Sequence, residues 1–194
     1  MAEDKTNPLP SQVLRSEHQK ILSVFQVLRT LAERYERGEG FESDAIKQCI
    51  EFFQLFADAC HHGKEEDLLF PMLEMRGVTR EGGPIGVMLH EHRLGREYVR
   101  RMAEAFTADK PRECIAAGRD FVGLLSQHIF KEDNILFNMA DRVLSAADQE
   151  ELARSFCHVQ CRNFQGRTRE QLESLADSLV RAWGEHEATR QEQP

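Results

Sequence analysis

No run of apolar residues in this chain approaches the ~18–20 that a membrane span needs. The first ten residues are polar, carry Glu3 and Asp4, and lack the basic start and apolar middle of an export signal. These two absences predict a cytoplasmic chain with no membrane contact of its own. Cysteine is scarce and odd in number: Cys49, Cys60, Cys114, Cys157 and Cys161 among 194 residues. A disulfide framework, which small secreted domains use, does not fit that count and chain length. Cys157 and Cys161 are four apart and share a helix face. No second ligand pair accompanies them, so they read as small residues on a packed helix. Basic blocks are missing as well. Lys and Arg total 25 against 33 Asp and Glu, for a net charge of -8, which argues against a nucleic-acid partner. Arg96, Arg100 and Arg101 form too small a patch to reverse that. The acidic surface shows no dimer face, and strand-type alternation is not sustained anywhere.

What is present is helical periodicity over a composition of 41% apolar and 30% charged residues, ordinary for a globular domain. A first helix is predicted from near Ser11 to Arg37, ended by Gly38-Glu39-Gly40. A second starts near Ser43 or Asp44 and runs to about Pro71, where the missing backbone donor predicts a kink. Gly77 to Gly83 reads as a loop, and Pro84 opens a third helix that reaches about Phe106. A fourth runs from about Pro111 to Leu144. Two shorter helices, near Gln149–Cys161 and Thr168–Trp183, complete the chain. The predicted fold is all-α: an up-down-up-down four-helix bundle over 11–144, two additional C-terminal helices over 145–184, and flexible ends at 1–10 and 185–194.

Each long helix places a histidine in its apolar stripe. His18 lies four after Leu14 and three before Ile21. His61 lies four after Ala57, His92 four after Met88, and His128 between Leu125 and Ile135. One inward imidazole is usually a hydrogen-bonded core residue. Four converging imidazoles would need four separate buried partners unless a metal serves them together. Glu65 and Glu132 follow His61 and His128 by four, about 6 Å along one helix face. A single His-x-x-x-Glu reads as a solvated surface pair. Two copies facing a core need cations, because a buried unpaired carboxylate costs several kcal/mol.

The two copies belong to an internal repeat. Glu17-His18 matches Glu91-His92, and His61 through Phe70 matches His128 through Phe137. His62 with Glu66 has the same spacing as His61 with Glu65, and the alignment to His128, Glu132 and Phe137 selects His61. Asp133, five after His128, is a second possible acid beside Glu132. The ligand types suit Fe, Mn or Zn.

These segments, together with Gly83 through His92, resemble the hemerythrin-like family, also called the HHE cation-binding domain, over roughly Ser11 to Leu144. The resemblance implies a bundle holding two irons with an oxo or hydroxo bridge, with His18, His61, His92 and His128 as terminal ligands and Glu65 and Glu132 bridging. Mn or Zn are possible substitutes. Oxygen-carrying relatives have an additional histidine on the third helix, where this chain has Met88 and Arg96 around His92. Four histidines leave open positions, which points to reaction with oxygen, peroxide or nitric oxide in oxidative or nitrosative defence. The alternative is an oxygen- or iron-sensing module without turnover.

Overall fold

The computed structural model describes residues 8–160 and 164–184. Expectations about 1–7, 185–194 and Cys161 fall outside the described residues. The described part is helical, with a single isolated bridge between Phe164 and Arg167. Helix α1 (Pro10–Glu36) begins with proline in its first turn, where the absent N–H is no loss. It stops at Gly38, whose φ of 77° suits a residue without a Cβ. Helix α2 (Ser43–Phe52) continues as a π-helix over Phe53–His62, then through a second π-helical turn, Glu65–Leu69, into α3 (Phe70–Met75). The disturbance expected near Pro71 thus takes the form of a widened turn just ahead of it. Helix α4 (Pro84–Thr107) packs along α5 (Pro111–Lys131), which passes through the π-helical turn Glu132–Leu136 into α6 (Phe137–Val143). Two of the π-helical turns start at matching positions of the repeat, Glu65 and Glu132. Such turns recur at functional sites.

Helices α7 (Ala146–Gln160) and α8 (Arg169–Trp183) follow. Thr168 and Gln171 cap α8 reciprocally, side chain to backbone in both directions. Helix α8 lies against α1 and α2, and α7 lies against α1 and the Glu65–Leu69 turn. Among the described residues, no helix is long and apolar enough to cross a membrane.

The apolar core is split into two clusters. One is built around Phe25, Phe53 and Phe121, whose rings pack at centroid distances of 4.8–5.6 Å. The other gathers Leu14, Leu69, Phe70, Ile85, Met88, Leu136 and Phe137. The split falls where the sequence puts its inward histidines. His18 follows Leu14 of one cluster and precedes Ile21 of the other, and His92 separates Met88 from Val99 in the same way. A polar layer therefore crosses the core between two apolar ones. The C-terminal helices enter both: Leu152 and Phe156 join the second cluster, while Leu172, Ala176 and Leu179 join the first.

Candidate metal centre

The polar layer holds five histidines and two glutamates, all buried: His18, His61, His62, His92, His128, Glu65 and Glu132. Their inward atoms form two overlapping groups, each within a 4.8 Å span. His18, His61, Glu65 and Glu132 make the first, and His62, Glu65, His92 and His128 make the second. Glu65 belongs to both. Its oxygens lie 3.5 Å from Nε2 of His61 and 3.5 Å from Nε2 of His92. Glu132 stands 3.2 Å from Nε2 of His18, 3.1 Å from Nε2 of His128 and 4.0 Å from Nε2 of His92.

The sequence-predicted set is brought together, and one residue joins it. His62 stacks on His92 with ring centroids 3.7 Å apart, and it stands beside His92 and His128 while its neighbour His61 stands beside His18. A π-helix has more residues per turn than an α-helix, so successive side chains diverge less. That lets adjacent histidines in Phe53–His62 face the same centre. The geometry adds His62, on the second helix, to the four imidazoles expected from the sequence. Glu66 and Asp133, weighed as alternative ligands, lie outside the inner groups.

Those two acids have another task. Each of the five imidazoles turns Nδ1 toward a carboxylate: His18 to Asp133 at 2.8 Å, His61 to Glu17 at 3.0 Å, His62 to Asp58 at 3.3 Å, His92 to Glu66 at 2.7 Å and His128 to Glu91 at 3.0 Å. An ionised carboxylate only accepts, so Nδ1–H donates, and in the neutral ring that leaves the Nε2 lone pair for the centre. The pairing repeats across the two halves. The glutamate before one histidine holds the next helix's histidine, Glu17 on His61 and Glu91 on His128. The acid after each inner glutamate holds the remaining one, Glu66 on His92 and Asp133 on His18. Lys64 and Lys131, at matching positions, donate to Glu17 and Glu91. These outer acids stand in the same repeat as the inner residues, Glu-His and His-x-x-Lys-Glu-acid.

The electrostatics show what is missing from a purely protein centre. Both oxygens of Glu65, both of Glu132 and Nε2 of His18 are buried without a hydrogen-bond partner. Burial and the facing Glu132 push the Glu65 carboxyl well above its ordinary value. Burial opposes charge on Glu132 too, yet His128 and His18 hold it well below. Burial likewise disfavours a charged His128, but Glu132 and Glu91 raise it to about 9, while His61 is driven by burial down to about 4. Burial opposes ionisation of Glu17, which His61 and Lys64 nonetheless bring to about 2. The nearby lysines are engaged by Glu17 and Glu91, so without a metal the inner carboxylates have only the imidazoles to face. Nε2 of His92 and His128 face each other at 3.1 Å. Lone pairs and carboxylate oxygens converging on one dry centre are a donor set for metal cations.

The surroundings are lopsided. The Glu17–Lys64 flank is sealed: Lys64 is fully buried with its amine 6.0 Å from the Phe156 ring centroid, and Arg169 reaches Glu17 at 3.4 Å. The side chain of Lys131, its counterpart, is 33% exposed.

A helical bundle with an internal His/Glu layer of this kind defines a cation-binding protein of the hemerythrin class. The chain belongs to the hemerythrin HHE cation-binding domain family, whose model matches residues 9–140. The uncharacterized protein Rv1995 of Mycobacterium tuberculosis is 24% identical over 161 residues, covering 80% of this chain and 62% of that protein. The iron-sulfur cluster repair protein YtfE of Edwardsiella ictaluri is 30% identical over 112 residues, 54% of this chain and 47% of its own. YtfE of Musicola paradisiaca is 29% identical over 146 residues, 70% and 66% respectively. The chain spans less than two thirds of each of these relatives' length. No solved structure matches the chain at a significant level.

Proposed function

We propose that this chain is a di-iron protein whose two ions sit in the overlapping groups His18, His61, Glu65, Glu132 and His62, His92, His128, Glu65, within an up-down-up-down bundle. The observation that carries the reading is the set of orphaned oxygens on Glu65 and Glu132, aimed at a centre ringed by imidazole lone pairs. Glu65, common to both groups, is placed to bridge, and Glu132 faces histidines of both. Iron follows from the family and from the relatives named for iron–sulfur cluster repair. Iron bound there supplies electron transfer and coordination positions for a small exogenous molecule.

The protein's own part is to orient and to exclude water. Five Nδ1–carboxylate pairs fix the imidazole rings before any ion arrives, so little order is lost on binding. The apolar clusters above and below keep the layer dry. With five imidazoles and two carboxylates for two ions, positions remain for oxygen, peroxide or nitric oxide, and the reading is a role in oxidative or nitrosative defence.

Metal content and the electronic spectrum of the aerobically purified protein test this. Two irons per chain, with charge-transfer bands that change on adding azide or peroxide, are expected. Two zinc or manganese ions would keep the site and overturn the oxygen chemistry. No metal after iron reconstitution would overturn the site itself.

A further inference from the structure

The two halves of the centre match in their inner and outer shells but differ at three neighbouring positions. Asp58, three before His61, corresponds to Leu125, three before His128. His62 corresponds to Ile129. Arg96, four after His92, corresponds to Leu22, four after His18. One half therefore carries a polar trio where the other carries three apolar side chains. The trio is connected: Arg96 donates from Nε to Asp58 and from a terminal nitrogen to Glu66, both at 2.7 Å, and His62 pairs with Asp58. The fold does not require these polar groups, since Leu22, Leu125 and Ile129 pack into the core at the equivalent places.

The same trio lines one end of a cavity of about 630 Å³ between the Phe53–His62 segment and α4. Its lining on α4 extends from Gly95 to Thr107, about 18 Å at the rise of a helix. Phe53, Ala57, Val99, Ala103 and Phe121 form its apolar wall. In the other half Leu125 and Ile129 are buried, and a cavity between α1 and α5, lined by Leu28, Arg29, Gly118 and Val122, measures about 180 Å³. A diatomic molecule needs a space of the order of one water, ~30 Å³. A half-open cleft many times larger, with apolar walls and a few polar groups at one end, has the dimensions of an organic-ligand pocket.

We propose that this cavity binds a neutral, oxygen-bearing organic molecule with an apolar body, its oxygen at the Asp58–His62–Arg96 end beside the second metal group. Arg96 engages two acids and has further N–H donors for an acceptor oxygen. Neutrality follows from the charges at both ends. Arg96 already faces Asp58 and Glu66, and Arg100 faces Glu97 and Glu104, so an anionic head would meet an excess of carboxylates. The pocket's service to the metal rests on the di-iron reading; its occupancy does not.

The test uses the full-length protein, iron-loaded and stripped, titrated with the neutral fluorescent ketone 6-propionyl-2-(dimethylamino)naphthalene. Saturable binding at one site per chain with blue-shifted emission is expected. Ala103→Trp, which fills the middle of the cavity, should weaken it by roughly tenfold or more, about 1.4 kcal/mol, with metal content unchanged. Should that variant not fold, Gln54→Trp closes the exposed mouth from the opposite wall. Binding that does not saturate, or that neither substitution weakens, overturns the pocket. Equal affinity for the anionic 1-anilinonaphthalene-8-sulfonate overturns the neutral head. Saturable binding to a chain that takes up no iron sustains the pocket while the di-iron reading fails.

Discussion

His62 and Ile129 occupy equivalent positions in the two halves of the repeat, yet one brings an imidazole to the centre and the other an apolar side chain to the core. The centre therefore has two unlike ends. The His18, His61, Glu65, Glu132 group has two imidazoles and two carboxylates. The His62, His92, His128, Glu65 group has three imidazoles and one.

His62→Ile borrows the residue of the other half and should leave the bundle folded. Its effect should fall on one ion. Competition against a graded chelator should release one metal per chain well ahead of the other, whereas the wild type should release them closer together. Simultaneous loss of both would show that the imidazole serves the whole centre.

Glu65→Ala should reverse its sign with metal. In the loaded protein it removes the carboxylate common to both groups, so bound metal and melting temperature should fall. In protein stripped by chelation it removes a buried carboxylate with no hydrogen-bond partner, and stability should hold or rise, by about 1–3 kcal/mol. Paired thermal melts with and without chelator read both arms. Destabilisation of equal size in each would mean that Glu65 has only a packing role.

Phe156 is almost wholly buried against the core and lies over the Lys64 amine. Phe156→Ala should destabilise by about 3–5 kcal/mol, as large-to-small core changes do. Urea unfolding measures this. Faster metal loss on chelation should accompany it, because the cover over the Glu17–Lys64 pair is removed.

Asp148 accepts from Arg76 at 2.8 and 2.6 Å and from the Ser145 backbone and hydroxyl. Arg76 first, then Ser145, hold its carboxyl well below the ordinary 3.8. A carboxyl depressed on folding contributes stability that is complete above its unfolded value and lost as pH falls toward the folded one. Asp148→Asn should therefore lower the melting temperature at pH 7, and the gap to wild type should narrow steadily below pH 3.8. A gap independent of pH would assign the effect to shape and not charge.

Helix positions were legible because they rest on local signals. Pro84 and Pro111 open helices, Gly38 ends one, and the stripe Leu14, His18, Ile21, Phe25 and Leu28 has α-helical spacing. The inner residues of the centre were legible because they repeat. His62 stood in the sequence only as an alternative to His61: adjacent residues diverge by about 100° on an α-helix, and the π-helical backbone of Phe53–His62 narrows that angle. No residue type marks such a widened turn in advance. The cavity escaped as well, since it depends on how far the second helix and α4 stand apart, a distance set by packing over the whole bundle. The outer carboxylates were written in the same repeat as the ligands, but pairing Glu17 with His61 requires knowing which helices are neighbours.

The unequal cover over the two flanks gives the centre an unequal relation to dissolved ions. Salt screens charges that solvent can reach and leaves dry ones nearly untouched. Glu91 and Lys131 lie within reach of that screening, and Glu17 and Lys64 do not. Rising ionic strength should slacken the tether on His128 and leave that on His61 as it was, so the medium tunes this centre from one side only.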